Sequence, residues 1–62
     1  MTHQEYTLAK RALFGGSHVV IATVPVSEQR IRVTQMRIKN GHMQGKYIND
    51  GKWYLIYQVE IQ

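Results

Sequence analysis

Cysteine is absent from this 62-residue chain. Disulfides and thiolate metal sites are therefore excluded, and with them the usual supports of a very small domain. Acidic residues are also scarce, four Asp and Glu against eight Lys and Arg, for a formal net charge of +4. Long hydrophobic runs are missing: the most apolar stretch, His18 to Val26, is far shorter than the roughly 20 residues that span a bilayer. Met1 to Lys10 is polar and lacks the basic start and apolar middle of a secretory signal. These absences predict a cytoplasmic protein with no membrane partner.

The length allows one domain, residues 1–62. A chain of this size buries only about 60% of the surface it exposes when unfolded, so its stability is marginal. With no covalent staple, association into a homodimer is the expected substitute.

Chemistry-bearing residues are scattered. His3, His18 and His42 stand 15 and 24 residues apart, with no spacing that converges on an ion. Glu5, Glu28, Asp50 and Glu60 fall in a cap, a loop, a turn and a terminal region, which gives no paired acid and base. Ser17 and Ser27 have no His and Asp arrangement readable from the sequence. Gly15-Gly16 ends a helix instead of starting one, so it is not a phosphate loop. The chain is expected to be no enzyme and to carry neither metal nor cofactor.

What is present is strongly patterned. Thr2 followed by Glu5 forms a capping box, with Met1 and Tyr6 as a hydrophobic staple. A helix is predicted over about residues 2–14, with Tyr6, Leu8, Ala9, Ala12 and Leu13 on its apolar face. Beyond Gly15-Gly16 the vocabulary turns to Val, Ile, Thr and Tyr, and strands are predicted over about 18–26, 29–39, 42–48 and 52–61. The fold class is α+β, an N-terminal helix on a four-stranded antiparallel meander. The first strand is apolar on both faces. Either the sheet curls so that its outer strands meet, as in a small barrel, or a second copy covers it.

Between Gln29 and Asn49 there are five basic residues and no acidic one. In Arg30-Ile31-Arg32-Val33 the basic positions are even-numbered, and in Met36-Arg37-Ile38-Lys39 they are odd-numbered. A regular strand would split them between two faces. One extra residue at Thr34-Gln35, a β-bulge, brings Arg30, Arg32, Arg37 and Lys39 to one side.

Asn40-Gly41 predicts a two-residue hairpin pairing Lys39 with His42. Asn49-Asp50-Gly51 predicts a three-residue loop pairing Ile48 with Lys52 and Tyr47 with Trp53. That register puts Tyr47, Trp53, Leu55, Tyr57 and Val59 under the helix, and Lys46 and Tyr54 on the basic face. The expected site is thus Arg30, Arg32, Arg37, Lys39 and Lys46 on phosphate, with Tyr54 stacking on a base. The partner is expected to be a nucleic-acid backbone. The alternative is an acidic protein surface, bound by an interaction module or inhibitor through the same face or an edge strand.

Overall fold

A computed structural model describes residues 1–62. The order is α1 (His3–Phe14), β1 (Val19–Thr23), β2 (Arg30–Lys39), β3 (His42–Tyr47) and β4 (Trp53–Ile61). All strand pairings are antiparallel, and the meander closes on itself because β1 pairs with both β2 and β4. The two strands expected at the edges of an open sheet therefore satisfy each other. This explains how β1 can be apolar on both sides without an unpaired edge.

The helix starts where the capping signals put it. Thr2 Oγ1 accepts from the Glu5 N–H, and Glu5 Oε1 accepts from the Thr2 N–H, each at 3.1 Å. The Thr2 backbone N–H, and after it the Thr2 side chain, hold the Glu5 carboxyl below its ordinary pKa. Tyr6 and Ala9 are buried, and Met1, Ala12 and Leu13 pack against the core. Leu8 is a correction: it is half exposed. It stands about 100° around the helix from Ala9, beyond the strip that the sheet covers.

The core is built from Val19 and Ile21 of β1, Ile31, Val33 and Met36 of β2, and Ile56 of β4, with Tyr6 and Ala9 above them. β1 is shorter than the expected 18–26 and stops at Thr23. Val24 still donates its N–H to the Leu55 carbonyl, but Pro25 has no N–H to offer the ladder. Val24 and Val26 are left exposed. No helix is long and apolar enough to cross a membrane.

Two bulges shape the ring. On β2, Val33 faces Tyr47 and Gln35 faces Lys46, which leaves Thr34 as the extra residue. On β4, Thr23 faces Ile56 while Ala22 faces Gln58, which leaves Tyr57 without an opposite. Bulges bend a strand and increase its twist. Each long strand changes neighbour close to its bulge: β2 passes from β1 to β3, and β4 from β3 to β1.

Candidate nucleic-acid interface

The bulge at Thr34 does what the sequence pattern required of it. Ile31, Val33 and Met36 are buried, whereas Arg30, Arg32 and Lys39 are exposed and Arg37 is half-buried on the outer side. The Asn40-Gly41 hairpin has its expected register, Lys39 opposite His42 and Ile38 opposite Met43, with both turn residues at positive φ. Lys46 sits beside Gln35 on the same outer side. All five basic residues thus leave the core, but they divide between two neighbourhoods. Arg30 and Arg32 lie where β2 pairs with β1, and Arg37, Lys39 and Lys46 lie on the β2–β3 hairpin.

Charge is also distributed unequally. Arg30 Nη1 stands 3.8 Å from Glu60 Oε2, in an ion pair about half exposed on both sides. Such a surface pair contributes about 0–1 kcal/mol and partly occupies Arg30. No carboxylate pairs with Arg32, Arg37, Lys39 or Lys46.

Tyr54 is not on this face. The loop after β3 holds four residues, Ile48 to Gly51, instead of three, so Lys46 pairs with Trp53 and Gly45 with Tyr54. Tyr47 donates its N–H to the Lys52 carbonyl and accepts at its own carbonyl from Gly51, both at 2.9 Å. Gly51 takes the expected left-handed conformation, φ 69°. The added residue turns β4 over. Tyr54 packs against the core, edge-on to Tyr47 with ring centroids 5.9 Å apart, and Ile56 is buried. Trp53, Leu55 and Tyr57, expected under the helix, are left partly or largely exposed. The extra residue Tyr57 then restores the original phase, and Val59 again packs on the core, opposite Ile21.

The residue that takes Tyr54's place in the basic face is Trp53. The Arg37 guanidinium carbon lies 4.0 Å from the centroid of the Trp53 ring system, and Arg37 Nε donates to Gln44 Oε1 at 2.7 Å. A cation held over an indole is the strongest of the aromatic–cation pairings. Here Gln44 fixes the guanidinium further, leaving its terminal N–H groups to donate elsewhere.

Tyr54 has a different role. Its hydroxyl donates to Asp50 Oδ2, while Asp50 Oδ1 accepts from the Lys52 N–H at 2.9 Å. The hydroxyl, and after it the backbone N–H, hold the Asp50 carboxyl below its ordinary pKa, and the same bond to Asp50 raises that of the Tyr54 phenol. A depressed carboxyl pKa contributes stability above the unfolded-state value, lost as pH falls through the folded one. Tyr54→Phe is therefore expected to raise the Asp50 pKa toward the usual carboxylate range and to reduce the loop's share of acid sensitivity. A pH titration of the Asp50 side-chain carboxyl by NMR would register this, and an unmoved midpoint would contradict it.

His3, His18 and His42 lie on α1, the α1–β1 connection and the start of β3, and no three His, Asp or Glu side chains converge. No protein-family model, curated protein or solved structure matches the chain, so the geometry alone carries the reading of this face.

Proposed function

We propose that the protein binds nucleic acid through the outer side of β2 and β3 and the start of β4, without catalysing a reaction. The observation that supports this most directly is the set of four basic side chains, Arg32, Arg37, Lys39 and Lys46, that have no carboxylate partner. The bulge at Thr34 lets Arg32 on one side of it and Arg37 and Lys39 on the other all face away from the core, and Lys46 joins them from β3. Phosphates are the ligand such a surface suits. Guanidinium groups fork onto their oxygens, lysines contribute point charge, and the neutralised phosphates release counterions. Arg30, held by Glu60, contributes less. We place the protein in the cytoplasm, where polyanions of this kind are abundant.

The test is a fluorescence-anisotropy titration of labelled single-stranded DNA, duplex DNA and RNA at several salt concentrations. Micromolar binding is expected at low salt. With about four phosphates engaged, log–log salt slopes of about −3 for single strands and about −4 for a duplex are expected. Absence of binding at low salt would overturn the reading and turn attention to a protein contact. That second reading has its own observation: Phe14, at the end of α1, is 96% exposed. It borders a groove of about 240 Å³ lined also by Lys10, Leu13, Thr34, Gln35 and Met36. Large exposed aromatics anchor protein interfaces, and a homodimer joined through Phe14 would make the protein's sedimentation concentration-dependent.

A further inference from the structure

We infer that the ligand of the basic face is a single strand, one unpaired base of which seats on the platform that Arg37 and Trp53 make together. This rests on the phosphate-binding reading above and goes beyond it, from charge to the kind of nucleic acid.

Charge alone does not distinguish a duplex from a single strand, but an outward aromatic does. Trp53 stands beside Lys46 and keeps part of its surface open, with the Arg37 guanidinium 4.0 Å from its ring centroid. Because Gln44 holds Arg37 Nε at 2.7 Å, the guanidinium presents a fixed plane. Unstacked bases are held by aromatic faces and by guanidinium planes, and the two are already assembled here.

The surroundings agree. Lys46 pairs directly with Trp53, and Lys39 lies two residues along β2 from Arg37. Alternate residues of a strand project on one side about 6.6–6.8 Å apart, so the charges flank the platform where the phosphates on either side of a seated base would run. Leu55 and Tyr57 continue β4 as exposed apolar surface, 36% and 47% accessible. A duplex keeps its bases stacked on one another and would meet only the charges, leaving these apolar side chains in water.

The experiment compares three ligands on the full chain at one ionic strength: oligothymidylate, an abasic oligomer of equal length, and a duplex. The abasic chain carries the same phosphates and no bases. Trp53 is the only tryptophan, so its emission reports directly on the platform. Oligothymidylate is expected to bind at least about tenfold more tightly than the abasic chain and to quench that emission. Trp53→Ala and Arg37→Lys should each bring oligothymidylate down to the abasic level, the second despite its unchanged charge, whereas Trp53→Phe should retain most of the difference. Oligouridylate in place of oligothymidylate separates RNA from DNA, and preference for either over its abasic counterpart supports the platform.

Equal affinity for oligothymidylate and the abasic chain, or tighter binding of the duplex, would overturn the stacking inference while the phosphate-binding reading stood. No binding of any polyanion would overturn both. Should Trp53→Ala fail to fold, the comparison of ligands on the unaltered protein and the Arg37→Lys variant decide the matter.

Discussion

Replacing Arg37 and Lys39 together by alanine is expected to weaken binding of every nucleic acid about a hundredfold near physiological salt. The log–log salt slope should become shallower by about 1.4 for single strands and about 1.8 for a duplex. A hydrogen bond to a charged group contributes about 1.5–3 kcal/mol, so each lost phosphate contact lowers affinity about tenfold or more. Each also removes close to one released counterion from the slope. The two side chains act differently, which makes the single variants informative. Lys39 is exposed beside the Asn40-Gly41 turn and has no carboxylate partner. Lys39→Ala should lower affinity for oligothymidylate and for its abasic counterpart alike. Arg37 is also bonded to Gln44 and packed on Trp53. Arg37→Ala should therefore add a loss seen only with bases. Anisotropy titrations across a salt series measure both, and an unchanged slope in the double variant would remove this face from consideration.

The parts of this face that sequence reasoning could locate are those written locally. The Asn40-Gly41 turn is specified by two residues that tolerate positive φ. The bulge is specified by a conflict within one strand, since Arg30-Ile31-Arg32-Val33 and Met36-Arg37-Ile38-Lys39 cannot share a face without an extra residue between them. The helix cap needs only Thr2 and Glu5. In each case the deciding partners are no more than ten residues apart, and the outward placement of the five basic side chains followed from them.

The start of β4 is different, and its phase decided which aromatic reached the site. Trp53-Tyr54-Leu55-Ile56-Tyr57 is apolar or aromatic at five consecutive positions, so alternation of polarity, which fixes phase elsewhere, is silent there. The register rests on the loop, where Asn49-Asp50-Gly51 suits three residues as well as the four observed. What selects four is spread along the chain. Asp50 gains bonds from both Tyr54 and Lys52, Ile56 reaches the core, and the Tyr54 ring packs against Tyr47. The expected Tyr54 was one residue from Trp53, and the face changed with that step.

Gly45→Val is expected to destabilise the protein strongly, because a side chain at Gly45 would run into the packed core. A Cβ at this position would stand 2.7 Å from Val33 Cγ1 and 3.1 Å from Ile21 Cδ1. Val33 is 1% exposed and Ile21 is fully buried, and both are β-branched with little χ1 freedom to give way. Overpacking of this kind costs about 1–3 kcal/mol, against a total of about 3–9 kcal/mol at the usual stability per residue. The sign is diagnostic, since replacing glycine inside a strand by valine ordinarily improves its intrinsic preference. In a urea titration with a slope of about 1 kcal/mol per molar, the midpoint should fall by about 1–3 M. If the clash with Val33 is the cause, adding Val33→Ala to Gly45→Val should recover part of the loss even though Val33→Ala alone leaves a cavity. Strictly additive losses would mean that Gly45 is required for something other than space. The same pair of variants bears on the binding face, because Gly45 lies between Gln44 and Lys46 on β3 and opposite Tyr54. A strand pushed outward there would shift Lys46 against Trp53, so the doubly substituted protein should regain nucleic-acid affinity together with its stability.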